Sequence, residues 1–560
     1  MRREVSVVNK KVCSFPILFA LLALLIGTCA VVFPASAQAA PTSTGSITVS
    51  GTVASSYNAY QIFSANVVDG DNDAKIATDL AWASDAARDA VLPVLHGAGM
   101  SNSQTTAQEA AEWLNTDSHL TSALSAQLAR SLQSSGARPA ALNAGTTAEL
   151  PCGYWLIVAD DDAIAQDEAG TAPIMALVGG SAVTVKPKAA TPKVKKHVLE
   201  DSTAAWQKAA DATVADDLYW RLSATVPAGL TAYDTYTVKF VDTMSAGLDP
   251  SKVAASMRVY VAAGADGGFD AVSCEGGSAS STPAKGWTDI TSQCRVSVEG
   301  KAFTVRTGDL IAALGGADAF TAGARVVAVY NAPLNSACNH GIAKGNPNEV
   351  YLRYPRSPFA DQSGDAGFTR TPSDDACAYT WDLALTKRGS DGDKPLAGAV
   401  LSIADDRGRT LAADGTWDAE GKATVTTGED GRVTVSGVDS GKLEVRELKA
   451  PKGYTAFEGT RSVTVKAEGL DVDQVAAAKP KLTITAESPL RADSADGSTG
   501  SLEASLINTP TGTPPSITTG GFMPSTGDMA MYAAAAAAVA GAALIVVALL
   551  VKRGGGSHKE

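Results

Sequence analysis

Several residues in this 560-residue chain are of types that react with one another once water is excluded, and their spacing points them into a core. Side chains alternate between the two faces of a strand, so residues two apart share a face. Trp381, Leu383 and Leu385 share an apolar face, and the next residue on it is Lys387. Leu502, Ala504 and Leu506 lead in the same way to Asn508, and Leu443 and Val445 lead to Glu447. A lysine, a carboxylic acid and an amide are thus expected in one core. Unpaired, each is costly to bury. Burial lowers a lysine pKa and raises a glutamate pKa, so both groups can be neutral together. A neutral amine is a nucleophile, and a protonated carboxyl can polarise the amide carbonyl. Attack on that carbonyl with loss of ammonia gives a Lys–Asn isopeptide bond. The competing expectation is a buried ion pair, or strand-end side chains that snorkel to water.

The same logic recurs upstream with an aspartate. Lys196 shares a face with Val194 and Val198, Asp242 with Val238 and Phe240, and Asn348 with Val350 and Leu352. Lys195 falls on the opposite face with Lys193 and His197, and stays open as the alternative lysine, as Asn346 does for the amide. No such trio stands out before residue 187.

The elements that must position these residues are mostly strands. Residues 41–187 open with alternating runs such as Ser46–Ser50, change to Ala-rich helical spacing between Thr78 and Arg138, and return to strands at Gly153–Val158 and Ala182–Val185. A Pro/Lys-rich joint around Lys186–Lys193 reads as an extended linker. Residues 192–365 and 378–510 carry alternating runs between Gly/Asp turns, the signature of β-sandwiches. The fold class expected is mainly β: tandem Ig-like sandwiches, with a helical insertion in the first domain. Residues 511–522 form a Thr/Gly/Pro stalk.

Two resemblances accompany these patterns. LEVRELKAPKGY, from Leu443 to Tyr454, resembles the E-box of pilin and adhesin domains of the collagen-adhesin B type, usually YxLxExxAPxGY. The resemblance implies that Glu447 promotes an isopeptide bond between Lys387 and Asn508. Tyr236–Leu248 and Gly345–Tyr354 resemble the central, collagen-adhesin A type domain of sortase-assembled major pilins. There an aspartate does the acid work, which implies Asp242 acting on Lys196 and Asn348. In that family the lysine of a Tyr-Pro-Lys motif ending the first domain accepts the next subunit. Val183–Lys188 is the matching segment, with Lys186 in place of the tyrosine, and Lys188 is the implied acceptor. Lys186 and Lys193 stay open.

The two ends of the chain read as address signals. Arg2, Arg3, Lys10 and Lys11 precede an apolar run and Ala35-Ser36-Ala37, a secretory signal peptide spanning residues 1–37, cut after Ala37 or Ala39. Residues 523–553 hold Met523-Pro524-Ser525-Thr526-Gly527, an apolar run from Met529 to Val551, and Lys552-Arg553. That run is long enough to cross a bilayer as a helix, with its basic flank inside. The pentapeptide is similar to the Leu-Pro-x-Thr-Gly signal of Gram-positive cell-wall proteins, with Met for Leu. The resemblance implies that a sortase cuts between Thr526 and Gly527 and passes the threonine acyl group to an amine.

A net charge of −13 without a basic stripe argues against nucleic acid. Export permits disulfides; Cys274 with Cys294 is the first expected pair and Cys338 with Cys377 the second, while Cys152 reads as a small buried hydrophobe. Asp69, Asp71 and Asp73 have the spacing that opens an EF-hand loop, but Ala74 and Leu80 replace its Gly and Glu, so a solvated turn is expected. Cys338 and His340 lack the paired spacing of a structural zinc site. Five scattered histidines form no hydrolase motif. No cofactor or metal is expected, and no enzyme beyond single-turnover self-modification. The combined expectation is an exported backbone subunit of a cell-wall fimbria. Its expected partners are identical and minor pilin subunits, pilin-type and housekeeping sortases, peptidoglycan and host surface ligands. A minor or tip pilin, or a single wall-anchored adhesin, is the alternative.

Overall fold

The computed structural model describes residues 43–512, apart from 72–73, 117, 188–190, 229, 265, 276, 317–318 and 320–322. The signal peptide, Lys188, most of the stalk, Met523–Gly527 and the apolar run behind it lie outside the described residues. Among those described, no helix is long and apolar enough to cross a membrane.

The chain is mainly β, arranged in three successive units. In the first, the long strand Ser56–Asp69 pairs with Lys75–Trp82, Ala140–Asn143 and Gly153–Ala159, and the last of these pairs with Ile174–Val178. Both faces of this sheet are buried. Tyr57, Ala59, Trp155 and Ile157 face a smaller sheet that carries Ile47, Val49 and Val185. Tyr60, Ile62, Leu156 and Val158 face the helices. The insertion forms α1 (Asp85–Gly97), α2 (Ala107–Leu114) and α3 (Ser122–Ser134). Each starts where a hydroxyl satisfies a free N–H: Ser84 for α1, Thr121 for α3, and a reciprocal Thr106–Glu109 box for α2. Val91, Leu95, Leu114, Leu124 and Leu128 supply the buried stripe. The helical spacing expected from Thr78 starts later, because Thr78–Trp82 is still strand.

The second unit is a sandwich. One sheet runs Lys193–Glu200, Tyr219–Val226, Ala324–Asn331 and Arg258–Ala263; the other is built on Lys239–Met244 and Asn346–Pro355. Phe368–Arg370 and Asp374–Tyr379 also pair with Asn346–Pro355, so this sheet continues past residue 365, where the turn-rich sequence suggested an end. One buried residue, Thr380, then separates Tyr379 from Trp381, the first residue of the third unit.

In the third unit the first strand, Trp381–Gly389, lies parallel to the last, Ser501–Pro510, with Gly389 opposite Asn508. The facing sheet holds Val400–Ala404, Gly441–Lys449 and Thr460–Glu468. Leu383, Leu385, Val435, Leu401, Ile403, Val445, Val463, Leu502 and Leu506 fill the space between.

Candidate functional site

Two polar clusters sit inside these apolar cores. In the third unit alternation turns Lys387, Asn508 and Glu447 inward together, at 0%, 2% and 6% exposure. Lys387 and Asn508 come from neighbouring parallel strands, and Glu447 reaches across from the facing sheet. Asn508 Nδ2 donates to Glu447 Oε1 at 2.8 Å and lies 3.0 Å from Oε2. Lys387 Nζ stands 3.5 Å from Glu447 Oε1 and donates to the Leu506 carbonyl at 3.3 Å. Burial pulls the Lys387 amine down to about 8, against the opposing pull of Glu447. A far larger fraction of that amine than of an ordinary lysine, though still the minority, is therefore neutral and nucleophilic near neutral pH. Asn508 Oδ1 is buried without a partner. A donor there is what polarisation of the amide carbonyl requires.

The middle unit builds its cluster across the sandwich. Lys196 comes from one sheet, Asp242 and Asn348 from the other, and all three are fully buried. Lys196 Nζ donates to Asp242 Oδ2 and, at 2.8 Å, to Tyr330 Oη. Tyr330 Oη donates to Asp242 Oδ2 at 3.0 Å and accepts from Asn348 Nδ2 at 2.9 Å. Trp220 and Tyr330 each place a ring 5.4 Å from the amine. Burial lowers Lys196 to about 8 despite Asp242 and raises Asp242 above the carboxylate range despite Lys196, so moving one proton from amine to acid leaves both neutral. Asp242 Oδ1 and Asn348 Oδ1 are both buried without partners, a pair of acceptors that a proton on the acid would supply with a donor.

The open alternatives separate by burial for the lysine and by hydrogen bonding for the amide. Lys195 leaves 60% of its side chain in water, paired to Asp374. Asn346 is buried, but its amide is used up clamping Asn339 and the Ala378 carbonyl. Tyr330 was missed by sequence reasoning, although Val326, Ala328 and Tyr330 share one face and all face the core. In the first unit the single lysine between residues 43 and 185 is Lys75. Its amine donates to the Gly179 and Ser181 carbonyls and pairs with Asp69 at 3.4 Å, and among the described residues it hydrogen-bonds no side-chain amide.

The expected disulfides are corrected: Cys152, Cys274, Cys294, Cys338 and Cys377 are all free thiols. Cys274 lies on an outer hairpin near Trp206 and Arg221, whereas Cys294 packs on the main core on the other side of the sheet. Cys338 belongs to the middle core and Cys377 to the third. Burial pushes Cys294, Cys338 and Cys377 up to about 11, so they stay protonated. Cys152 is 2% exposed in a small apolar cluster. Cys338 Sγ and His340 Nε2 are 3.6 Å apart, yet among the described residues no group of three or more side chains could hold a metal.

Parts of the chain are similar to known proteins. Residues 382–479, which include Lys387 and Glu447, match the SpaA family, a prealbumin-like fold domain. The chain is also 30% identical over 143 residues to the trypsin-resistant surface T6 protein of Streptococcus pyogenes, a match covering 24% of each chain, so it spans about a quarter of that relative. Among solved structures it overlays loosely on the T6 backbone pilin of the same organism, with 17% identity, 84% of this chain, 98% of that one and a TM-score of 0.45. It overlays similarly on the major pilin SpaD of Corynebacterium diphtheriae, with 15% identity, 84% and 98% coverage and a TM-score of 0.40. In sequence, the likeness rests on residues 382–479 and on the 143-residue stretch.

Proposed function

We propose that this chain is the backbone subunit of a covalently polymerised surface pilus. Two autocatalytic bonds, Lys387–Asn508 and Lys196–Asn348, staple the third and second domains. Polymerisation joins the Thr526 carbonyl of one subunit to Lys188 of the next through a pilin-type sortase, and the last subunit is passed to peptidoglycan by a housekeeping sortase. The observation that carries this reading is the double occurrence of a fully buried lysine beside a carboxyl and an asparagine with a partnerless carbonyl oxygen. Amide exchange needs a neutral amine, and burial favours that form at Lys387 and Lys196 and the neutral acid at Asp242. Attack of the amine on the Asn carbon forms one C–N bond and breaks another, releasing ammonia.

Intact mass of the exported chain tests this directly. It should be lighter by two ammonia molecules than its sequence, and Asn508→Ala and Asn348→Ala should each restore one; a full sequence mass would overturn the staples. Extracts of the native producer should show SDS-resistant multimers, and Lys188→Ala should abolish them while leaving a folded monomer. A ladder that persists moves the acceptor to Lys186 or Lys193. One wall-linked monomer band would favour the adhesin alternative.

A further inference from the structure

We propose that Tyr330 is a catalytic residue of the middle domain, its hydroxyl relaying protons among the Lys196 amine, Asp242 and the departing nitrogen of Asn348. This rests on the reading of that cluster as an isopeptide-forming site. The two clusters solve one geometric problem differently. In the third domain Glu447 meets the amide nitrogen with both oxygens, at 2.8 and 3.0 Å, and stands 3.5 Å from the amine. One carboxyl spans both reacting nitrogens there. Asp242 is shorter by a methylene, and the Asn348 nitrogen hydrogen-bonds Tyr330 Oη instead, at 2.9 Å. The hydroxyl fills the gap: it accepts from the amine at 2.8 Å and donates to Asp242 at 3.0 Å. Its one proton and two lone pairs are therefore all committed to the reacting groups.

The ring is held for this task. Its strand, Ala324–Asn331, places Tyr330 opposite Trp220, and Phe303 packs edge-on at 4.7 Å. Burial, with Asp242 beside it, holds the phenol well above its ordinary range, so it enters the reaction protonated and can release one proton only while taking up another. The balance is simple. The lysine first gives one proton to the hydroxyl oxygen, which passes its own proton to Asp242, so that amine and acid are both neutral. The amine nitrogen then forms a bond to the Asn348 side-chain carbonyl carbon, and its excess proton passes through the hydroxyl to Nδ2 as the old C–N bond breaks. Ammonia leaves, the tyrosine finishes as it began, and Asp242 keeps the proton that began on the lysine.

The test is cell-free synthesis of the exported chain in an Asn508→Ala background, stopped at intervals and followed by intact mass, so that only the middle domain reports. Tyr330→Phe keeps the ring and should slow ammonia loss by about 10²-fold or more, the range of general acid–base catalysis. Near-UV circular dichroism checks that the variant is folded. Incorporation of 3-fluorotyrosine, which alters phenol acidity without removing the hydroxyl, should change the rate of middle-domain closure. It should leave the Lys387–Asn508 rate, measured in an Asn348→Ala background, unaltered. Closure of Tyr330→Phe at the parental rate overturns the tyrosine's role and leaves the staple standing. A parent that loses no ammonia overturns both.

Discussion

At the residue scale, burial does the chemical preparation. Lys387 and Lys196 are each drawn to about 8 by desolvation that outweighs a carboxyl neighbour. Neither cluster is a strong ion pair, because the cost of drying two charges approaches or exceeds their attraction. Removing one partner is a different matter. Glu447→Ala should restore one ammonia to the mass and leave Lys387 as an unpaired buried amine. The expected cost is about 3–5 kcal/mol for breaking the buried pair alone. Intact mass and limited proteolysis check both parts, and an unchanged mass would remove Glu447 from the reaction. Alternation makes Lys387, Glu447 and Asn508 legible in the sequence, because each ends an apolar face. Tyr330 was less legible because an aromatic at a core position looks like packing, and only the fold shows where its hydroxyl ends.

At the element scale, the two proposed staples would carry load differently. In the third domain the first and last strands are parallel neighbours, so tension on the chain pulls them in shear. A Lys387–Asn508 bond lies near the end of both strands and would carry force past almost the whole domain. Closing a loop of about 100 residues also restricts the unfolded chain, a contribution of about 4–5 kcal/mol in the chain-entropy picture. In the middle domain the proposed Lys196–Asn348 bond would come early in the strand Asn346–Pro355, and the chain still has to run on to Tyr379. The 31 residues from Glu349 to Tyr379 would stay in the line of force. They are held by antiparallel pairing and by Asp374, which accepts from the Lys196 backbone N–H at 2.7 Å and pairs with Lys208. Single-molecule pulling should therefore release one contour step on the order of 100 Å, from about 3.4 Å per residue, with none from the third domain. Asp374→Asn should lower the force of that step. A trace without any step would show that this hairpin is bypassed too.

At the scale of the whole molecule, hydrogen bonds and ion pairs bridge neighbouring units. Arg130 of α3 donates to the Ala232 and Pro358 carbonyls at 3.2 and 3.3 Å, tying the helical insertion to the middle sandwich. The joint to the third domain is acidic. Asp211 accepts from Trp381 Nε1 and from the Ser440 N–H and hydroxyl, each at 2.7 Å. Glu200, Asp201 and Asp439 crowd around it, while Arg407 and Arg409 are drawn to Asp216. Burial raises all four carboxyls, Glu200 to about 7. A carboxyl whose folded pKa is raised stabilises the fold most when protonated, and that stability is lost as pH rises through the folded value. The joint should thus be firmest in mild acid and loosen between about pH 4.5 and 7. Calorimetry of the exported chain at pH 5 and 7.5 should show the linked transition higher at pH 5, by about 2–4 °C per kcal/mol recovered. Glu200→Gln should flatten the difference, and equal transitions would show that these groups titrate normally.

The sequence by itself determined the mainly β character, the order of the three units and which residues turn inward, since these follow from period-two alternation and turn chemistry. It set the faces but not the distances between them. Tertiary structure alone decided that Lys196 and not Lys195 is dry, that Asn346 is spent on a loop clamp, and that the members of each expected cysteine pair lie apart. It alone carried the middle sheet on to Tyr379 and brought Tyr330 between amine, acid and amide. The reason is physical: alternation is a property of one strand, whereas a reactive cluster is made where strands distant in sequence pack against each other and exclude water.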